Sequence, residues 1–210
     1  KDSGKLLLNL INDLLDVSRI QSGKLLLNLE IIDLIKVLEF TVESIIKLAE
    51  KKSIQVEVSV LPEICLVSAD VTRIQQVLWN LLTNAVKFTP ANGKILITLS
   101  TVDTLNGRLA QIQITDSGIG IKPEFLVQIF QRFKQIDSSM SRTYGGLGLG
   151  LAIAKSLIEM QNGTIKAESL GEGKGTSFTI SLPLVPLEKL TADGAKITKL
   201  QQVKLSRLDD

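Results

Sequence analysis

Apolar residues recur with helical and strand periods along most of the chain. Residues 2–22 have a helical period and Gly23 supplies a stop, which predicts a helix. The a, d and e positions of its heptad-like pattern are filled by Leu7, Leu8, Ile11, Leu14, Leu15 and Ser18. A helix this apolar needs a partner surface, and the pattern leaves two open: its own domain, or a second helix in a dimer.

The rest of the pattern predicts alternating strands and helices up to about residue 183. Helices are expected at residues 35–52, 70–89 and 149–160, and near Pro123 within 121–133. Strands are expected at residues 25–34, 54–60, 64–69, 94–101, 109–115, 163–170 and 176–182. Because strands come in adjacent pairs, we expect an α+β fold, a two-layer sandwich of a mixed, mostly antiparallel sheet with helices on one face. Residues 134–147 are expected to form a loop.

The predicted helix at residues 70–89 combines an apolar face with an unusual polar stripe. Asp70 is a suitable N-cap, and Pro90 follows the last turn. The stripe runs at spacings of 3, 4, 4 and 3 through Arg73, Gln76, Asn80, Asn84 and Lys87. Asparagine is a mediocre helix former, so two of them one turn apart need a reason. Either the amides bond to a neighbouring loop, or the stripe is a face for phosphate and Mg²⁺, which amide oxygens can ligate.

Composition narrows the classes of function. The chain has 210 residues, 24 of them basic and 22 acidic, and this balance argues against a dedicated nucleic-acid binder. It contains no histidine, which excludes histidine-based triads and most zinc sites among these residues. The single cysteine, Cys65, lies in an apolar run and is expected to be a buried hydrophobe. No apolar run reaches the length of a membrane span. We expect these residues to be cytoplasmic, in a parent protein that other segments could anchor to a membrane.

Three glycine-containing segments follow the asparagine helix. Residues 116–120 (DSGIG) end a predicted strand, and an ionised carboxylate there is an acceptor suited to an exocyclic amine. Residues 145–150 (GGLGLG) lead into a helix whose N-terminal N–H groups suit phosphates, but their spacing is neither a P-loop nor a dinucleotide fingerprint. Residues 171–176 (GEGKGT) are adequately explained as a turn between strands. Each signal is weak alone. Their occurrence in this order after the asparagine helix is a much stronger signal.

Taken together, these segments resemble the catalytic, ATP-binding half of two-component sensor histidine kinases. Its asparagine, first glycine, phenylalanine and second glycine boxes and its final glycine turn are matched by residues 80–88 (NLLTNAVKF), 116–120, 129–133 (IFQRF), 146–151 (GLGLGL) and 173–178 (GKGTSF). The resemblance runs over residues 3–183. It implies the ATP-binding sandwich shared with gyrase, the ninety-kilodalton heat-shock chaperones and mismatch-repair ATPases.

The resemblance implies ATP and Mg²⁺ as cofactors and gives roles to residues of the asparagine helix. Asn84 is the implied Mg²⁺ ligand, Asn80 lies near the metal and the γ-phosphate, and Lys87 contacts phosphates. The superfamily's ATP hydrolases, and the mitochondrial serine kinases of dehydrogenase complexes, carry a glutamate general base one turn before the Mg²⁺ asparagine. Asn80 occupies that position here, and an amide cannot take a proton. This favours transfer to a histidine; the alternative is a nucleotide-binding ATPase or regulatory module of the same superfamily.

The remaining nucleotide contacts are implied in the same way. Asp116 accepts from the adenine amine, and residues 131–147 form an ATP lid in which Arg142 contacts the γ-phosphate. The other implied nucleotide-contacting residues are Phe88, Gly118, Gly120, Gly146, Leu147, Gly148, Leu149, Gly150 and Thr176. Asn80, Lys87 and Arg142 are the implied catalytic residues.

The resemblance also implies a division of the chain. Residues 1–23 correspond to the second helix of a dimerisation and phosphoacceptor hairpin, residues 24–184 to the catalytic domain, and residues 185–210 to a linker or tail. The first helix, with its phosphoacceptor histidine, is expected before residue 1, so no autophosphorylation in cis is expected. The implied partners are ATP, the histidine-bearing domain of the parent kinase, a response-regulator receiver domain and a second copy in a homodimer, with no nucleic acid.

Overall fold

A computed structural model of the chain describes residues 2–134 and 147–186. Its elements follow the predicted order. The helices are α1 (Asp2–Gln21), α2 (Leu34–Glu50), α3 (Val71–Phe88), α4 (Pro123–Leu126) and α5 (Gly150–Glu159). The strands are β1 (Glu30–Asp33), β2 (Gln55–Val60), β3 (Leu66–Ala69), β4 (Lys94–Thr104), β5 (Gly107–Asp116), β6 (Thr164–Glu168) and β7 (Thr176–Pro183). Within the described residues no helix is long and apolar enough to cross a membrane.

The predicted α+β sandwich is confirmed. A five-stranded sheet has the order β2-β4-β5-β7-β6, in which β2 and β4 are parallel and the other neighbours antiparallel. Its inner face is made of alternate residues on each strand, such as Ile95, Ile97 and Leu99 on β4, all fully buried. Helices α2, α3 and α5 bury their apolar stripes in the same core.

The strand expected at residues 25–34 is wrong in length, because only Glu30–Asp33 pairs with β3. The register explains this: Glu30 lies opposite Ala69, and Asp70 then leaves the strand to cap α3. The N–H of Asn28 therefore donates to the Asp70 carboxylate, at 3.0 Å, and has no strand carbonyl to reach. On the other side of β3, Leu184, which follows β7, forms a single antiparallel bridge with Val67.

Two other expectations differ from the structure or fall outside it. The helix expected near Pro123 is a single turn, and Gln128 and Gln131 extend it with bonds to residues three positions earlier. Most of the loop expected at residues 134–147, and all of the tail after residue 186, lie outside the described residues.

Helix α1 is attached to the sandwich through a polar contact near its C-terminal end. Asp16, almost buried, accepts from Arg73 Nη1 at 3.0 Å and from Gln76 Nε2 at 2.8 Å. The first two members of the polar stripe therefore hold α1 and do not extend a face for phosphate. The heptad-like positions with described side chains remain exposed: Leu8, Ile11, Leu14, Leu15 and Ser18. The side chain of Leu7 lies outside the described part.

Replacing Asp16 by alanine should loosen α1, because it leaves the Arg73 and Gln76 donors without their acceptor. We expect the free energy of local opening of α1 to fall by about 1–3 kcal/mol, measured by amide hydrogen exchange. Asp103→Ala, which removes an exposed ion pair with Arg108, is the matched control and should change the exchange of α1 little. Equal exchange of α1 in both variants would contradict the assigned role.

Candidate functional site

Helix α3 begins and ends where its sequence predicts. Asp70 has extended backbone angles, and its Oδ1 accepts from the N–H of Arg73 at 3.1 Å, so the predicted N-cap is confirmed. The buried face comprises Ile74, Val77, Leu78, Leu81, Leu82, Ala85 and Val86. Because this face is fixed in the core, Asn80, Asn84 and Lys87 are half-buried along the opposite edge of the helix.

Asn80 connects α3 to the start of α5. Its Nδ2 donates to the carbonyl of Gly150 at 3.3 Å, and a Cβ at Gly150 would lie 3.5 Å from the Asn80 amide carbon. Leu149 precedes α5 without a side-chain capping bond, while its own side chain fills the core. The first-turn N–H groups of α5 therefore lie beside Asn80 without a side-chain cap, an arrangement suited to an anion.

The two ends of the segment implied as a lid meet beside α5. The N–H of Phe133 donates to the carbonyl of Gly148 at 3.1 Å. Both residues have left-handed backbone angles, with φ of 61° at Phe133 and 68° at Gly148. A Cβ at Gly148 would lie 2.8 Å from the carbonyl oxygen of Lys134, so this crossing requires glycine.

Asp116 is a buried carboxylate at the end of β5. Its Oδ1 accepts from the N–H of Gly118 at 2.8 Å, and the N–H of Thr176 also bonds to it. Burial raises the pKa of Asp116, while the two backbone hydrogen bonds oppose that shift. Both bonds come from backbone donors, so backbone groups orient the carboxylate.

Glycines let three segments pack directly around Asp116. A Cβ at Gly118 would lie 2.6 Å from both Asp116 Oδ1 and the carbonyl oxygen of Phe88. A Cβ at Gly175 would collide with the carbonyl of Asp116, and one at Gly120 with the carbonyl of Gly171. The C-terminus of α3, the loop at 116–120 and the turn at 171–175 therefore form one close-packed wall.

Lys87 and Phe88 lie in the last turn of α3, next to this wall. Burial lowers the pKa of Lys87, and its Nζ lies 4.9 Å from the centroid of the Phe88 ring. The carbonyl of Phe88 accepts from the N–H of Ile119 at 3.2 Å. A partly desolvated ammonium group thus lies over the Phe88 ring in the last turn of α3.

Ser169 supports the same wall, and sequence reasoning missed it. Its hydroxyl accepts from the N–H of Ile121 at 2.9 Å and donates to the carbonyl of Gly175 at 2.6 Å. It thereby joins the loop after Asp116 to the glycine turn. A serine after a strand is common, so no local signal marks this role.

The predicted site residues with described positions converge around the C-terminal half of α3. They are Asn80, Asn84, Lys87, Phe88, Asp116, Gly118, Gly120, Leu147, Gly148, Leu149, Gly150 and Thr176. Gly146 and Arg142 lie outside the described residues. A cavity of about 500 Å³ lies at the other end of α3, against residues 26–30, and is lined by none of the predicted ligands.

The donor set fits a magnesium nucleotide. Among residues 2–134 and 147–186 no three His, Cys, Asp or Glu side chains cluster as a metal site. Asn84 offers a single amide oxygen, which is suited to Mg²⁺ that takes further oxygens from water and phosphate. A buried acceptor, a glycine-lined wall and a helix N-terminus in one place are the parts that a nucleotide needs.

Comparisons with known proteins agree with this chemistry. Residues 69–186 match the family described as "Histidine kinase-, DNA gyrase B-, and HSP90-like ATPase". The chain is 39% identical over 206 residues to the hybrid signal transduction histidine kinase D of Dictyostelium discoideum, covering 84% of this chain and 13% of that protein. It is 39% identical over 184 residues to the circadian input-output histidine kinase CikA of Synechococcus elongatus, covering 87% of this chain and 24% of that protein.

A solved structure, full-length ShkA in complex with AMPPNP, has a TM-score of 0.75 and 30% identity, covering 88% of this chain and 37% of that one. The chain spans between 13% and 24% of the length of the two curated relatives. The similarity therefore concerns one part of larger proteins.

The raised pKa of Asp116 predicts a pH dependence of stability. The folded protein binds this proton more tightly than the unfolded chain does, so the carboxyl lowers stability as pH rises from its usual value near 3.8 through the raised value. Relative to Asp116→Asn, the wild type should lose free energy of unfolding across that interval, measured by urea denaturation between about pH 4 and pH 7. A difference between the two proteins that stays constant with pH would contradict this.

Proposed function

The chain belongs to the histidine kinase-, DNA gyrase B- and HSP90-like ATPase family and carries an ATP-binding catalytic domain of the sensor histidine kinase type, and we propose that it transfers the γ-phosphoryl group of Mg-ATP to a histidine. These 210 residues contain no histidine, so the acceptor must lie outside them. The relatives named as histidine kinases support this reaction.

The proposed reaction, transfer to histidine and not hydrolysis, rests mainly on Asn80. Its amide bonds to the carbonyl of Gly150, beside the helix end suited to phosphate. Residues 71–88 contain no acidic side chain, so α3 offers no general base that could deprotonate water or serine. A neutral imidazole is itself a nucleophile and needs no such base, so positioning and charge stabilisation suffice for the transfer.

The buried residues suggest how the nucleotide is oriented. Asp116 is the proposed acceptor for the adenine amine, because its carboxylate is fixed by backbone donors in a wall that excludes side chains. Lys87 and the first-turn N–H groups of α5 are the proposed phosphate contacts. Leu147, Gly148 and Thr176 would line the same nucleotide, and Gly146 and Arg142 stay predictions.

Asn84 is the proposed magnesium ligand. When bound, Mg²⁺ would supply positive charge that stabilises the negative charge developing during transfer. The role of Asn84 is to offer one oxygen from a helix that is fixed in the core, with Asn80 one turn away. Asn84 has no other role in the proposed reaction.

The chain outside the site suggests its partners. We propose that residues 1–23 belong to a dimerisation segment, residues 24–184 form the catalytic domain, and residues 185–210 are a linker or tail. The exposed apolar residues of α1, Leu8, Ile11, Leu14 and Leu15, support a homodimer of the parent protein. A receiver domain and the histidine-bearing domain are the remaining proposed partners.

Transfer in trans tests the proposed function. Incubated with Mg-ATP and a histidine-bearing dimerisation domain, the chain should form acid-labile phosphohistidine on that domain. Asn84→Ala should lower the rate by about 100-fold or more because the metal loses its protein ligand, and Asp116→Asn should weaken ATP binding. Asn106→Ala, in the turn between β4 and β5, is the matched control. Equal transfer by the wild type and Asn84→Ala would overturn the proposal.

The absence of a base on α3 predicts weak hydrolysis. Without an acceptor, phosphate release from Mg-ATP should be slower than transfer by about 100-fold or more. The reason is that α3 offers no general base, and a general base typically accelerates a reaction by about this factor. Asn80→Glu should raise hydrolysis relative to transfer. Both rates are measured with labelled ATP in the same preparation. Hydrolysis by the wild type as fast as its transfer would favour the ATPase alternative.

A further inference from the structure

Lys52 makes an unusual set of contacts at the C-terminus of α3. It lies just after α2, and its Nζ donates to the carbonyls of Val86 at 2.7 Å, Lys87 at 3.1 Å and Thr89 at 2.8 Å. An ammonium group has three N–H donors, so these three carbonyls use all of them. The side chain is half-buried, so water competes only in part.

These carbonyls are groups that a helix cannot satisfy by itself. The last four carbonyls of a helix lack intrahelical donors and carry the negative end of its dipole. The carbonyl of Ala85 has donors from a nearby residue, because it accepts from the N–H of Thr89 at 3.0 Å and from the hydroxyl of Thr89 at 2.6 Å. From Val86 onward the partners come from distant segments.

The same turn is also bonded to the adenine side of the site. Four consecutive carbonyls, of residues 86–89, receive donors: Lys52 supplies three, and the N–H of Ile119 supplies the one to Phe88. Gly118 approaches the Phe88 carbonyl so closely that no side chain fits between them. A displacement of this turn would therefore move Lys87, Phe88 and the loop after Asp116 together.

Backbone bonds around Lys52 strengthen the connection. Its carbonyl accepts from the N–H of Asn92 at 3.3 Å, and the N–H of Gln55 donates to the carbonyl of Gly93 at 2.9 Å. The end of α2 is thus joined to the turn that follows α3 as well as to its last carbonyls. The position of the Lys52 ammonium is consequently well determined.

We propose that Lys52 is a positioning residue for the nucleotide site, which holds the last turn of α3 where Lys87 and Phe88 meet the loop after Asp116. The inference rests on the proposed ATP site. Lys52 has no role in the proposed chemistry and acts through the backbone alone. Replacing Lys52 should therefore change the nucleotide affinity and the environment of the loop after Asp116.

The test compares Lys52→Met with Lys51→Met. Methionine keeps much of the side-chain length but removes the three donors, and Lys51 is the exposed neighbour that serves as the matched control. By titration calorimetry with Mg-AMPPNP, well below the unfolding midpoint, Lys52→Met should bind about tenfold more weakly than the wild type, equivalent to about 1.4 kcal/mol. Lys51→Met should bind within about twofold of the wild type.

Amide resonances separate this inference from the proposed function. Without nucleotide, Lys52→Met should shift the Gly118 and Ile119 amide signals, and Lys51→Met should not. Failure of the wild type to bind Mg-AMPPNP would count against the ATP site alone, and the amide signals would still test Lys52. A lower unfolding midpoint with unchanged affinity and unchanged Gly118 and Ile119 signals would overturn the proposal and leave Lys52 a purely structural cap.

Chemical rescue provides the conservative variant. Alkylation of Lys52→Cys with 2-bromoethylamine rebuilds an ammonium at nearly the same reach. The other thiol, Cys65, is fully buried, and burial raises its pKa to about 12, so it should stay unmodified. Affinity should return to within about twofold of the wild type; complete alkylation without recovery would also overturn the proposal. If Lys52→Met does not fold, Lys52→Gln replaces it.

Discussion

The position of α3 is the constraint on which the rest of the structure depends, because one helix serves both the core and the site. Its apolar face fills the space between α2, α5 and the sheet, so its rotation is fixed by packing. Its polar edge is then held at three levels: by Asp16 near the start, by Gly150 in the middle and by Lys52 at the end. A helix secured in this way can present amide groups at fixed positions without a dedicated loop to support them.

Features encoded by nearby residues could be predicted from the sequence, and features that depend on distant partners could not. The bounds of α3, its Asp70 cap and the glycine segments follow from local period and residue type. Arg73 looked like part of a phosphate face, but its partner is 57 positions away on α1. Lys52 bonds to carbonyls 34 to 37 positions away, and no sequence pattern around Lys52 predicts these bonds. The overlong first strand has the same origin, since its length is set by where β3 ends.

Asp116 shows the cost in stability of a buried carboxylate at the proposed nucleotide site. Burying a carboxylate disfavours its charged form, and only two backbone N–H groups offset this in the described structure. The surrounding glycines increase the cost, since they gain no side-chain packing and lose more conformational freedom on folding. The result is an acceptor of fixed direction in a wall of backbone atoms, a geometry that suits the adenine contact proposed above.

The hydrogen bond between Phe133 and Gly148 has a consequence for variation in the segment that it closes. For any connection whose two ends are fixed at one point, the entropy of closure grows only logarithmically with the number of residues in it. Doubling that length costs about 0.6 kcal/mol. Insertions and deletions between residues 134 and 147 should therefore leave the start of α5 and its N–H groups in place. The number of residues between these positions can therefore vary without moving the helix end to which the proposed function assigns phosphate.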